Sequence, residues 1–355
     1  MSKVEQGKMD KLEFGKTGLW VSKIAMGGIP IMRLCKKEAA DVVKGVLDMG
    51  INFIDTATGY GDSEEKIGQA LKRTKREDLV IASKSPALDR KKFLKHVNLS
   101  LKRMGIDFID IYQLHGVNSD EKMKHVMEPG GAYEGLQDAI SQRKVRYAGF
   151  SSHRMSVAKK LMLTEKFEVV QIGLNFIDTE PEKEIIPLAK RMNLGFIAMK
   201  PLAGGLLEDA NLCFRYLAQF PRIVPDPGIE KIEEMEEIIQ IVENPRPLTV
   251  EEKKKIQKIR EELGREFCHR CDYCQPCPQS IPISQVLRVD SFIKRMPLEE
   301  VVGLIDPAIQ KARECSECEE CVERCPYDLP IPELLKKNIA LWENFRKRQV
   351  KSSSS

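Results

Sequence analysis

The chain has 355 residues, with 57 Lys plus Arg against 53 Asp plus Glu and a formal net charge of +4. That near balance gives no electrostatic reason to invoke nucleic acid, and the length suits one large α/β domain with an appendage rather than a single small domain. No apolar run approaches the roughly 20 residues that span a bilayer, and the opening MSKVEQGKMDKLEF lacks the apolar core of a signal peptide, so the sequence predicts a cytoplasmic protein with no membrane partner.

Between residues 20 and 226, short apolar, β-branched stretches alternate with longer amphipathic ones, the pattern of β/α units. The stretches are SKIAMGG, INFIDTA, DLVIASKS, DFIDIYQLHG, KVRYAGFSS, FEVVQIGLN, LGFIAMKP and PRIVPDP, ending near Met26, Asp55, Lys84, His115, Ser151, Gly173, Met199 and Val224. Eight such units over a span near the usual ~250 residues predict a (β/α)₈ TIM barrel in the α/β class. An open doubly wound sheet is the alternative, but it would normally carry a GxGxxG turn after its first strand, and none is present. After Val224 the text turns to charged amphipathic helices around a Pro-rich hinge, NPRPLT, then to two cysteine runs separated by helical text, a final helix and KSSSS.

Chemistry in such a barrel sits at the C-terminal ends of the strands. There the second unit supplies Asp55 and Tyr60, the third Lys84 and the fourth His115. Each alone has a plain structural reading: an aspartate caps a helix, a lysine is solvated, a lone histidine is structural. Together, a carboxylate, a phenol, an ammonium and an imidazole suit proton delivery to a carbonyl oxygen. The ammonium favours the phenolate and so makes Tyr60 a better acid, Asp55 holds Lys84, and neutral His115 donates a hydrogen bond that positions the carbonyl.

INFIDTATGYGDSE, IASKS, IDIYQLHG, VRYAGFSS, VVQIGLN and IAMKPLAGGLL, in that order and spacing, resemble the aldo-keto reductase superfamily over about residues 11 to 240. The resemblance implies a barrel with a short N-terminal hairpin, hydride transfer with a nicotinamide cofactor, NAD(H) or NADP(H), and a catalytic tetrad of Asp55, Tyr60, Lys84 and His115 with Tyr60 as general acid. It further implies cofactor contacts from Gly28, Ser151, Ser152, Gln171, Asn175, Leu202 and Gly205, and a phosphate near Gly228 at the start of the eighth helix. Two departures stand out. Met199 occupies the place of the aromatic residue usually stacked on the nicotinamide, and acidic text near Glu234 replaces the base that usually meets the 2′-phosphate of NADP.

Eight of the ten cysteines lie in CHRCDYCQPCP and CSECEECVERCP. Cys35 and Cys213 stand apart and read as small buried or semi-buried residues. In a reducing compartment such runs are metal ligands rather than disulfides. CxxCxxC followed by Cys-Pro suits a four-iron cluster whose fourth ligand comes from the other run. One set is then Cys268, Cys271, Cys274 and Cys325, the other Cys315, Cys318, Cys321 and Cys277; two four-cysteine zinc sites are the alternative. The helical text between runs indicates a helical ferredoxin-like domain, and the whole resembles the branch of aldo-keto reductases that carries one.

The expected organisation is a barrel with hairpin over 1–245, a linker helix over 246–264, an iron–sulfur domain over 265–350 and a disordered tail over 351–355. The expected function is carbonyl/alcohol oxidoreduction on a small substrate, with two 4Fe-4S clusters linking the barrel to a ferredoxin or flavoprotein partner. A flavin in the barrel is a further option, since it handles both hydride and single electrons. Two other readings remain: an electron-transfer or interaction subunit with the barrel as scaffold, and a reductase whose clusters are structural or oxygen-sensing.

Overall fold

A computed structural model describes residues 9–72 and 74–352. Two compact units divide them: one runs to Ala203 and resumes over Leu207–Leu248, and the other holds Gly204–Leu206 and everything from Thr249 on. Of the tail expected to be disordered, residues 353–355 lie outside the described residues, and the final helix, Ile331–Ser352, takes in the other two.

The first unit opens with an antiparallel hairpin, β1 (Lys11–Glu13) and β2 (Trp20–Ser22). Eight parallel strands follow in sequence order: β3 (Met26–Gly27), β4 (Phe53–Asp55), β5 (Val80–Ser85), β6 (Ile109–Leu114), β7 (Val145–Ser152), β8 (Val169–Gly173), β9 (Gly195–Met199) and β10 (Ile223–Asp226). The ring closes where Ala25 N–H donates to Pro225 O at 2.9 Å and Gly27 N–H to Pro227 O at 2.8 Å. The strands read as unbroken apolar runs because barrel packing buries both of their faces; β4, β5 and β6 are buried at every position. Helix ends follow local chemistry. Asp89 accepts from Lys92 N–H at 2.8 Å to start the helix Arg90–Met104, and Gly105 ends it in the left-handed region at φ +65°.

The hairpin closes the N-terminal end of the barrel. Phe14 is fully buried with Phe53, Val80, Ile111, Val169, Ile197 and Val224, one residue from each of six strands. It lies so close to Gly195 that a Cβ there would stand 2.5 Å from the ring. Burying such a ring is worth ~1.5–3 kcal/mol. With that end plugged, only the C-terminal mouth is open to a site.

The eighth strand reaches Asp226, two residues beyond the expected end at Val224. Cys35 is also a correction: it is exposed, and its Sγ caps the helix Lys36–Asp48 by accepting from Glu38 N–H at 3.5 Å, whereas Cys213 is buried as expected.

The second unit is helical, with Val250–Leu263, Ile283–Val286, Val289–Arg295, Leu298–Ala312, Glu320–Glu323 and the final helix. Its core joins Ile281, Ile283, Val286 and Leu287 to Leu329, Ile331, Leu334 and Leu335. These two quartets occupy matching places in CPQSIPISQVL and CPYDLPIPELL, an internal repeat in which each Cys-Pro leads into the apolar start of a helix. Among the described residues, no helix is long and apolar enough to cross a membrane.

Candidate active site and cluster-binding loops

Asp55 ends β4, Lys84 lies at the end of β5, and His115 follows β6 directly. Two backbone clamps bring the loop residues to Lys84. Thr58, in the turn leading to Tyr60, donates its N–H and its Oγ1 to Lys84 O, both at 3.0 Å. His115 N–H donates to Ser85 O at 2.9 Å. Beneath them, fully buried Glu64 accepts from Ser83 Oγ at 2.7 Å and from Arg103 at 3.2 Å, tying the helix Ser63–Leu71 to β5.

The four side chains meet at the mouth. Lys84 Nζ forms a buried ion pair with Asp55 Oδ2 and donates to Thr56 O at 2.9 Å. It lies 5.0 Å from the centroid of the half-buried Tyr60 ring, and that ring meets His115 edge-on with centroids 5.9 Å apart. Burial alone would lower the Lys84 ammonium, but Asp55, then Tyr60 and Asp226, more than reverse this and hold it above the ordinary lysine range. Asp226, at the end of β10, was not among the expected site residues. Gln171 Nε2 joins it to Asp55, at 3.2 and 3.1 Å respectively.

The residues expected to hold a nicotinamide divide into groups. Gln171 spends its N–H groups on the two aspartates, and its Oε1 is buried with no hydrogen-bond partner among the described residues, an acceptor that fits a carboxamide N–H. Ser151, Ser152 and Asn175 are committed to the backbone: Ser151 Oγ accepts from Gly116 N–H at 2.9 Å, Ser152 Oγ donates to Val117 O at 2.7 Å, and Asn175 donates to Lys200 O at 3.1 Å. Gly28 is packed tightly, since a Cβ would stand 2.7 Å from Ser63 Oγ. Met199 ends β9 half-buried and Leu202 follows in the next turn, while Gly205, at φ +89°, falls in the stretch Gly204–Leu206 that groups with the second unit. Gly228 is exposed before the helix Ile232–Glu243, and there Glu234 accepts from Glu230 N–H at 2.8 Å and Lys231 N–H at 3.0 Å. A carboxylate thus covers backbone donors that a phosphate would use.

In the second unit the cysteines line two voids. Cys277, Cys315, Cys318 and Cys321 surround one, together with Ile281, Ile283 and Leu335. Cys268, Cys271, Cys274 and Cys325 surround the other, with Leu287, Leu329 and Ile331. Each void takes three thiols from one run and the Cys-Pro thiol from the other. Among the described residues no three His, Cys, Asp or Glu side chains converge on a point that would hold a single metal ion. Four thiols spread around an apolar void fit a cluster better than a tetrahedral zinc, whose ligands lie ~2.3 Å from one point.

The loops are wound alike. Arg270 and Asp272 flank Cys271 at φ +63° and +58°, Glu317 and Glu319 flank Cys318 at +54° and +61°, and Ser280 and Asp328 follow the two Cys-Pro pairs at +55° and +50°. Left-handed backbone at non-glycine residues costs on the order of 1–3 kcal/mol each and persists where the surroundings demand it. The same pattern twice implies a common demand, the wrapping of cysteines around an enclosed group. Burial first, then neighbouring thiols and Asp272, push Cys274 up to about 12.

Residues 23–212, more than half of the chain, match the aldo/keto reductase family. The chain belongs to that family. Residues 267–330 match the 4Fe-4S dicluster domain. The uncharacterized oxidoreductase YqkF of Bacillus subtilis (strain 168) is 29% identical over 218 residues, 58% of this chain and 68% of that protein. The NADH-specific methylglyoxal reductase of Escherichia coli (strain K12) is 28% identical over 228 residues, 56% of this chain and 69% of that protein. Across such relatives the chain spans 61% to 69% of their own lengths. Aldo-keto reductase AKR11C1 from Bacillus halodurans, in its holo form, is 25% identical with a TM-score of 0.61, over 71% of this chain and 96% of that one.

Proposed function

We propose that this aldo/keto reductase interconverts a small carbonyl compound and its alcohol with a nicotinamide cofactor in the barrel, and that two 4Fe-4S clusters link the chain to a one-electron partner. The observation that carries the reading is the meeting of Asp55, Lys84, Tyr60 and His115 at the barrel mouth. When bound, the nicotinamide supplies hydride to the carbonyl carbon. The chain's own part is to move one proton: the Tyr60 O–H bond breaks, a bond forms to the carbonyl oxygen, and the phenolate left behind is stabilised by the Lys84 ammonium. Asp55 holds that ammonium in place, and His115 donates a hydrogen bond that orients the carbonyl. Gln171 Oε1 and Met199 are the residues we assign to the nicotinamide ring. Glu234, holding the amides at the eighth helix, favours a cofactor without a 2′-phosphate, in keeping with the NADH named for the Escherichia coli relative.

We assign Cys268, Cys271, Cys274 and Cys325 to one cluster and Cys277, Cys315, Cys318 and Cys321 to the other; bound there, such clusters accept and donate single electrons. The deciding test is a screen of anaerobically purified protein against small aldehydes and ketones with NADH and NADPH. Turnover by the wild type and none by Tyr60→Phe supports the reading. Absence of turnover on every carbonyl and alcohol, with cofactor bound, sinks it.

A further inference from the structure

At the end of β10 a second carboxyl group enters the pocket of the Asp55–Lys84 pair. Asp226 is only 8% exposed. Its Oδ2 accepts at 3.2 Å from Gln171 Nε2, the same nitrogen that donates to Asp55 Oδ2 at 3.1 Å, so one amide bridges the two carboxyl groups. Its Oδ1 is buried with no hydrogen-bond partner among the described residues, packed over Gly27, where a Cβ would come within 2.9 Å of it. The charged and titratable groups around it are Asp55 on β4, Lys84 on β5 and, beyond Lys84, Tyr60; from β8 it meets the neutral amide of Gln171.

One ammonium cannot compensate two buried carboxylates that share a single amide donor. Two like charges bridged by one amide away from water do not both ionise, so one proton stays with the pair. Its place follows from the donors. Asp55 receives the Lys84 ammonium, the Gln171 amide at 3.1 Å and the Gln113 amide at 3.5 Å, a set that suits an ionised carboxylate. Asp226 receives one amide and leaves an oxygen bare.

We propose that Asp226 is a positioning residue that holds this proton at neutral pH. Lys84 is then compensated once, by Asp55, and its remaining field acts on the Tyr60 oxygen. Ionised, Asp226 would set a second negative charge facing Lys84 and oppose the phenolate forming at Tyr60. Burial, then Asp55, push the Asp226 carboxyl well above the ordinary carboxylate range, against the opposing pull of Lys84. A group raised in this way contributes stability that is complete below its unfolded value and is lost as pH rises through the folded one. The role given to Tyr60 rests on the reading under Proposed function; the location of the proton does not.

The test uses the full chain, wild type and Asp226→Asn, from mildly acidic to alkaline pH. Infrared spectroscopy of the wild type at neutral pH is expected to show a protonated-carboxyl C=O stretch that Asp226→Asn loses. Rising pH is expected to lower the wild-type melting temperature relative to the variant, which stays neutral, and the alkaline decline of carbonyl reduction is expected to move to higher pH in the variant. A wild type without the band at neutral pH, or a band that survives Asp226→Asn, overturns the proposal. Should Asp226→Asn fail to fold, Asp226→Glu keeps the carboxyl and must shift the band; an unshifted band overturns the proposal equally. The infrared and melting measurements need no turnover, so a chain that reduces no carbonyl yet shows the band would fail the enzymatic reading alone.

Discussion

The Lys84 ammonium stands 5.0 Å from the centroid of the Tyr60 ring, and the carbonyl of the same lysine accepts both hydrogen bonds of Thr58, two residues before the tyrosine. One residue therefore fixes the path of the loop and the field at its tip. Tyr60→Phe is expected to lower kcat for carbonyl reduction by about 10²–10⁴-fold, the usual share of a general acid, with cofactor affinity retained. Lys84→Met removes the field and also strands Asp55, so it is expected to cost about 3–5 kcal/mol of stability as well as activity. The double variant Asp55→Asn/Lys84→Met separates the two effects. Denaturation should recover most of the stability, while turnover stays lost.

The same pair gives the barrel an alkaline limit. Because Lys84 is held above its ordinary value, the stability drawn from its charge is complete below ~10.4 and is lost as pH climbs through the higher folded value. Thermal melts across the alkaline range should show the wild type losing stability more steeply than Asp55→Asn/Lys84→Met. Parallel slopes would mean that the pair contributes no net stability.

Much of this arrangement was legible because barrel strands are buried on both faces and their C-terminal residues stand out as polar letters after apolar runs. Asp55, Lys84 and His115 are visible in that way. Asp226 was not, because Pro225 lacks an amide donor and reads as the end of a strand; in the fold its carbonyl accepts from Ala25 N–H at the closing seam and the strand continues. Cysteine spacing carried the crossed grouping of thiols around each void. It could not reveal the left-handed turns, since Arg270, Glu317 and Glu319 belong to residue types with no strong preference for positive φ. Cys35 was misread for a related reason: burial is the commoner fate of an isolated cysteine, but its place three residues before Glu38 made it one half of a capping box.

The crossed ligand sets make an analytical prediction. Protein purified without oxygen should be brown and hold about eight irons per chain. Cys325→Ser should disturb the cluster held by Cys268, Cys271 and Cys274 in the other run, and Cys277→Ser the one held by Cys315, Cys318 and Cys321. EPR of the two single variants should therefore lose opposite signals. Loss of the signal from the variant's own run in each case would show that the sets are not crossed, and stoichiometric zinc with little iron would end the cluster reading.

Glu234 gives the nucleotide preference a handle. Its carboxylate holds the Glu230 and Lys231 amides at the eighth helix, where an incoming phosphate would meet both negative charge and occupied donors. Glu234→Ser is expected to lower the Kd for NADPH while leaving that for NADH nearly unchanged, measured by fluorescence titration. Equal changes for both nucleotides would place the 2′ position elsewhere.

The two kinds of site differ in how they handle electrons. A nicotinamide gives two electrons together as hydride, whereas a four-iron cluster accepts one, so direct exchange would pass through a costly nicotinamide radical. Flavins manage both, which leads us to expect that exchange between nicotinamide and the clusters of this chain needs a flavin, bound here or in a partner protein. The check is an anaerobic titration with NADH and NADPH followed by EPR, with and without added flavin or a flavoprotein. The expected outcome is slow, incomplete cluster reduction by nicotinamide alone and rapid reduction once the flavin is present. Rapid, stoichiometric reduction in flavin-free protein would remove the need for a transducer. Clusters that resist every donor while carbonyl reduction proceeds normally would instead assign them to structure or oxygen sensing, and the barrel would work without them.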